Sequence, residues 1–332
     1  MKRIGKVLLL LLLIGGLSGC VVKDMGQTVK ATFKGDFFLS SQKYEQGLKT
    51  FKKEVVLTPN NASSYYYLGR FWLTQKKPDH FEALKNFQTA VRLSPSNTTY
   101  RFWQGVAYGS VGKSRQERKS YLQVLSNQRD HLQALTYLAH NYLEAKEYSD
   151  AMTTYNKVLK IWPFSPSALF NRAFIMRILD RTPEERLAWL EYLDVYPSGP
   201  MARRAVNYLN GLGDLQYRNI VVGARTVTIE RVIFEPFTEK LKSYNQPSLD
   251  LIGSVFSRLN NHELHIIVFQ KNNIKLAEKR AKELKKFLLK KHRNLFPQSI
   301  KLSWFDVPEE IKILGVKVLE EDESINFFTK KM

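Results

Sequence analysis

Proline recurs in this chain at an interval too regular for an ordinary bundle. Pro59, Pro95, Pro163 and Pro197 fall in phase, with Arg129 in the slot between the second and third, and the successive spacings are 36, 34, 34 and 34. Before each of these positions a small residue and an aromatic sit at fixed distances: Gly47 and Phe51, Ala83 and Phe87, Ala151 and Tyr155. Two segments deviate, with Glu117 and Tyr121 in the third and Glu185 and Trp189 in the fifth. Earlier in every segment a second small residue precedes a bulky one: Gly35 and Phe38, Gly69 and Trp72, Gly105 and Tyr108, Ala139 and Tyr142, Ala173 and Met176. A period of this length predicts helix pairs. Small residues let two antiparallel helices approach, aromatics fill the space between them, and proline ends the second helix because it lacks the N–H that the ladder needs. The units begin near residues 28, 62, 98, 132 and 166. The extra residues of the second unit fall in its turn, Thr74 to His80, where insertion costs little. Met201 to Leu212 reads as a terminal helix covering the last apolar face.

This pattern resembles the tetratricopeptide repeat (TPR). The resemblance implies an all-α solenoid of about five repeats plus a capping helix over residues 28–214. It also implies a groove lined by the first helix of each unit, suited to a partner's peptide or helix. Aligned in this way, Tyr66, Arg70, Phe102, Val106, His140, Phe170, Phe174 and Arg177 face the groove. Packing between neighbouring repeats is the competing role for the aromatics among them.

Between Gly211 and Gly223 the texture changes from helical periodicity to alternation. Val227 to Phe234 predicts a strand, Pro247 to Leu259 a helix, Leu264 to Phe269 a strand, Ile274 to His292 a long helix, and Ser299 to Phe305 and Ser324 to Thr329 two more strands. That order gives a small α/β sandwich over 215–332. It resembles the C-terminal domain of OmpA, a module shared with peptidoglycan-associated lipoproteins. Asn273, Leu276, Arg280 and Ala281 match that family's Asn-x-x-Leu-Ser-x-x-Arg-Ala motif, with Ala277 in place of the serine. The resemblance implies that Arg280 holds the carboxylate of diaminopimelate from peptidoglycan; Asn273, with a backbone carbonyl, is the candidate to complete the pocket. The family's aspartate, which holds the ligand's ammonium group, is absent: the chain reads Val268-Phe269-Gln270-Lys271 there. A lysine at that corner repels an ammonium ligand. A plain reading of Arg280 competes: one more solvated charge on a helix that also carries Lys275, Lys279, Lys282, Lys285, Lys286, Lys290 and Lys291, above an apolar face of Ala277, Ala281, Leu284 and Leu288.

The N-terminus states where such a chain works. Lys2, Arg3 and Lys6 precede an apolar run from Val7 to Ile14, which closes on Leu17-Ser18-Gly19-Cys20. This is the layout of a secretion signal, and the run falls well short of the ~20 apolar residues that a spanning helix needs. The last four residues resemble a lipobox, which implies cleavage after residue 19 and acylation of Cys20, the chain's only cysteine. Val21, where inner-membrane retention calls for Asp, implies an outer-membrane lipoprotein facing the periplasm. The expected organisation is therefore a signal over 1–19, a lipidated linker over 20–27, the repeats and the sandwich.

The formal charge of +20 ordinarily suggests nucleic acid, but export removes that partner. Anionic envelope components and acidic protein faces remain. No carboxylate or cysteine joins the histidines at metal-ligand spacing, and neither a phosphate-binding loop nor a nucleophile elbow occurs. The expectation is a non-enzyme without cofactor or metal. It is a scaffold that binds envelope proteins through its TPR groove within a pilus, secretion or motility apparatus. The alternative is a peptidoglycan anchor with the repeats as spacer.

Overall fold

The computed structural model describes residues 25–313 and 317–332. The lipidation position Cys20 lies outside them. Among the described residues no helix is long and apolar enough to cross a membrane. The chain divides into two compact units, the boundary falling between Ile161 and Trp162.

The first unit is four antiparallel helix pairs: α1 (25–40) with α2 (Tyr44–Leu57), α3 (Ala62–Leu73) with α4 (His80–Leu93), α5 (Thr98–Ser110) with α6 (Ser114–Asn127), and α7 (Leu132–Glu144) with α8 (Tyr148–Ile161). Helix ends follow the sequence punctuation. Each second helix stops two residues before the in-phase position, at Leu57, Leu93, Asn127 and Ile161. First helices start at capping side chains that accept otherwise orphaned N–H groups: Asn61 from Ser63 at 3.1 Å, Asn97 from Tyr100 at 3.1 Å and His131 from Ala134 at 3.2 Å. The small-residue rule has a geometric cause. A Cβ added to Gly69 would stand 2.9 Å from the Phe87 ring of its own pair, and one on Gly105 would stand 2.5 Å from Tyr121.

The deviating glutamates are accommodated rather than exposed. Glu117 accepts from Asn141 Nδ2 at 2.8 Å and from the Tyr121 hydroxyl at 3.3 Å. In the second unit, Glu185 is buried and accepts from Trp189 Nε1 at 3.0 Å and Arg177 Nη1 at 3.2 Å. Both positions carry a carboxylate where other units have Gly or Ala, and both supply its hydrogen bonds locally.

The second unit opens with a fifth pair, α9 (Pro166–Ile178) and α10 (Thr182–Val195), and the terminal helix α11 (Pro200–Gly211). Strands β1 (Tyr217–Val222) and β2 (Arg225–Glu230) then form an antiparallel hairpin. After α12 (Gln246–Phe256), strand β3 (His262–Gln270) and α13 (Ile274–Lys291) come β4 (Ile300–Phe305), β5 (Glu309–Ile313), β6 (Lys317–Glu321) and β7 (Glu323–Lys331). The main sheet has the order β4-β3-β7, with β3 parallel to β4 and antiparallel to β7. Alternate residues of β3 (Leu264, Ile266, Val268) pack under Leu249, Ile252 and Phe256 of α12 and Ala277, Ala281, Leu284 and Leu288 of α13. The apolar face expected of the long helix is therefore the one that is used.

Two differences from the sequence reading stand out. The strand expected over Val227 to Phe234 is the second arm of the β1-β2 hairpin and stops at Glu230; Phe234 makes only an isolated bridge to Leu241. A second hairpin, β5-β6, was missed because its residues are largely charged and lack the alternation of a half-buried strand. The second compact unit takes in the last helix pair and α11 together with the strands. Within it α11 docks on the hairpin: Asn219 Nδ2 donates to Arg203 O at 2.8 Å and Asn210 Nδ2 to Tyr217 O at 2.8 Å. Arg186 of α10 also pairs with Asp214 at 2.5 Å.

Candidate functional site

In the first unit the first helices lie side by side, and the residues expected to line a groove separate into two groups. Tyr66 and Phe102 are buried, at 8% and 3% exposure. Tyr66 stacks on Tyr100 of the next first helix with ring centroids 5.0 Å apart; Phe102 meets His131 at 5.4 Å and Tyr137 at 5.5 Å. Their assignment to an open groove is corrected: an aromatic at this position is long enough to bridge to the next repeat, and burial there outweighs exposure to solvent. Phe170 in the second unit is also corrected, 3% exposed, but it fills its own pair: Trp189 at 5.0 Å and Tyr192 at 5.4 Å both belong to α10.

The residues one turn further along remain accessible. Arg70 donates from Nη1 to the Tyr66 hydroxyl at 2.7 Å, and its guanidinium lies 3.8 Å over the Trp103 ring. The buried tyrosine thus serves as a strut for a half-buried cation, and Trp103 is a site residue that the sequence reading missed. Its signal was the aromatic spacing between adjacent first helices. Val106 is half-buried beside it. His140 packs between Tyr137 at 6.2 Å and Tyr155 at 5.7 Å. Burial holds its imidazole below the ordinary histidine range, with Glu144 opposing, so the ring is neutral at pH 7. In the second unit Phe174 lies 6.2 Å from Tyr208, and the Arg177 guanidinium lies 4.7 Å over the same ring while donating to Glu185. Both units therefore repeat one device, an arginine flattened on an aromatic with an edge left to solvent. Such a surface recognises carboxylates and planar side chains of a polypeptide.

Around Arg280 the structure departs from the reading of a solvated charge. The side chain is 2% exposed, not a solvated charge. Nε donates to Thr238 O at 2.9 Å, Nη1 donates to Glu323 Oε2 at 3.0 Å and to Gln270 Oε1, and the guanidinium sits 4.8 Å over the Phe234 ring. Gln270 in turn donates to Glu323 Oε1 at 3.1 Å. Burial and the local hydrogen bonds leave only Nη2 without a partner. Glu323 from β7 thus supplies the carboxylate that the sequence reading looked for near Gln270, and Lys271 is drawn off to Asp322 at 3.0 Å. The acidic run from Glu320 to Glu323 was the available signal. Asn273 is brought near but faces elsewhere: its side chain caps α13, accepting from Leu276 N at 3.0 Å. Asn272, at φ 58°, makes the tight turn that shortens the loop.

No protein-family model matches this chain, and no curated protein matches it. Among solved structures it is similar to the MamA protein (16% identity over 51% of this chain and 91% of that one, TM-score 0.46). It is also similar to YrrB, a TPR protein with an unusual peptide-binding site (15%, 52% and 87%, TM-score 0.46). A third is PilF of Pseudomonas aeruginosa (14%, 56% and 86%, TM-score 0.48). These similarities carry over no ligand or role; the repeat architecture rests on the helix pairs themselves.

Proposed function

We propose that this protein is a scaffold of the bacterial envelope, anchored to the outer membrane through an acylated Cys20 and facing the periplasm. Its stacked helix pairs capture a partner protein of a pilus, secretion or motility apparatus. The observation that carries this reading is the repeated arginine-on-aromatic surface, Arg70 over Trp103 and Arg177 over Tyr208. In each unit a half-exposed arginine held on an aromatic ring is suited to protein recognition. The signal-like N-terminus and lipobox support the location. The C-terminal region is read as a diverged OmpA-like domain, supported by Arg280 standing on the long helix beside the end of β3.

Wall anchoring is the weaker reading. It requires a guanidinium free to meet a diaminopimelate carboxylate, and Arg280 is already joined to Glu323, Gln270 and Thr238. Photo-crosslinking from within the cell tests the scaffold reading. A benzophenone side chain at Val106 or Phe174 is expected to give one discrete adduct that the same probe at Lys119, on the second-helix side, does not give. Identical adducts at all three sites, or none at Val106 and Phe174, would overturn it.

A further inference from the structure

Exposed apolar side chains are concentrated in the first helix pair. Met25, Val29, Phe33 and Phe37 of α1 are 64%, 52%, 75% and 54% exposed, and Val56 and Leu57 at the end of α2 are 77% and 76% exposed. The second pair exposes only Phe81 in this way and the third only Leu122. At intervals of four residues the α1 side chains drift by ~40° each, so together they make one apolar stripe about 120° wide along the helix. The antiparallel pairing, fixed by Lys34 and Glu54 at 3.1 Å, sets Val56 and Leu57 beside the start of that stripe. Cations rim the patch: Lys30 is exposed on α1, Lys43 lies 5.1 Å over the Phe37 ring, and Lys49 and Lys53 are exposed on α2.

An end repeat lacks the neighbour that covers the same face of an interior repeat, so something else must cover it. We infer that the bilayer does: the first helix pair lies on the membrane surface, with Met25, Val29, Phe33 and Phe37 seated at the boundary of headgroups and acyl chains. This rests on the lipid-anchor reading, and the anchor is what selects the occupant. Cys20 precedes Met25 by five residues, which reach at most about 18 Å when extended. That tether holds the stripe at the headgroups, at an effective concentration that a freely diffusing partner cannot match. Stripe and rim suit the two layers they meet: aromatic and aliphatic side chains enter the interface ~5–10 Å deep, while lysines stay with anionic headgroups. The helix pair would thereby orient the repeats relative to the membrane, which an acyl anchor alone does not do.

The test uses the full, lipidated chain in vesicles of phosphatidylethanolamine and phosphatidylglycerol, part of the lipid carrying a nitroxide on its acyl chain. An environment-sensitive fluorophore is attached through Phe33→Cys or, in a separate preparation, Lys119→Cys; the acylated Cys20 does not react. Quenching of roughly twofold at position 33, with little at 119, is expected for a side chain at the acyl boundary. Flotation of the vesicles reports the anchor independently. Protein that floats with its position-33 probe unquenched overturns the inference and leaves the anchor standing. Protein that carries no acyl mass and does not float overturns the anchor reading, and the inference with it. An unquenched probe whose emission shifts with protein-to-lipid ratio assigns the stripe to a second copy of the chain, which also overturns the inference.

Discussion

Arg280 shows how a single buried charge constrains its surroundings. Its guanidinium is held by one carboxylate, one amide, one carbonyl and one ring, so removing the carboxylate strands the charge rather than freeing it. Glu323→Ala is expected to lower stability by about 2 kcal/mol, at the low side of a buried pair because Glu323 is partly exposed. Lys271→Ala, which breaks an exposed pair with Asp322, is expected to cost less than about 0.5 kcal/mol. Denaturant unfolding of the two variants checks the ranking, and equal losses would show that Arg280 is not the focus. His140 gives a pH-dependent counterpart. Because burial lowers its affinity for a proton in the fold, the unfolded chain binds a proton that the native chain refuses once pH falls below about 6.5, and stability declines with acidification. Thermal melts between pH about 7 and about 5.5 should show a shallower decline for His140→Gln than for the parent.

At the scale of elements, packing overrides intrinsic propensity at identifiable places. Replacing a helical glycine by alanine ordinarily gains up to about 1 kcal/mol. Gly26 has open space around its missing Cβ, so Gly26→Ala should stabilise α1, by less than that because it lies near the start of the described helix. At Gly105 the added carbon would stand 2.5 Å from Tyr121, and Gly105→Ala is expected to cost about 1–3 kcal/mol instead. Opposite signs in chemical denaturation would confirm that the small residue is there for helix approach. This logic is why the helix pairs were legible: the proline-like stops, small residues and aromatics report local, repeated contacts. The aromatic groove was not legible, because period alone cannot tell a residue that faces a partner from one that bridges to the next repeat. Tyr66 and Phe102 bridge and Phe170 fills the space within its own pair, whereas Arg70 and Arg177 rise on aromatic platforms set by other helices. Glu323 was overlooked for a related reason. It reaches Arg280 from a strand far along the chain, and no spacing rule connects the two.

On the scale of the whole molecule, the proposed account joins a tether, a repeat array and a sheet domain in one chain with a formal charge of +20. Such a surplus suits anionic surfaces and acidic partners, and it makes association sensitive to salt over a Debye length of ~8 Å at physiological ionic strength. The location fixes which partners are available, so it is the claim on which the remainder of the proposal depends. Density-gradient separation of the cell envelope, followed by intact mass of the chain recovered from it, tests that claim most directly. The account predicts a chain that begins at Cys20, carries the mass of its acyl groups and travels with the outer membrane, and a Cys20→Ala variant that does not. A chain that retains Met1, carries no acyl mass and is found in the cytosolic fraction would contradict it.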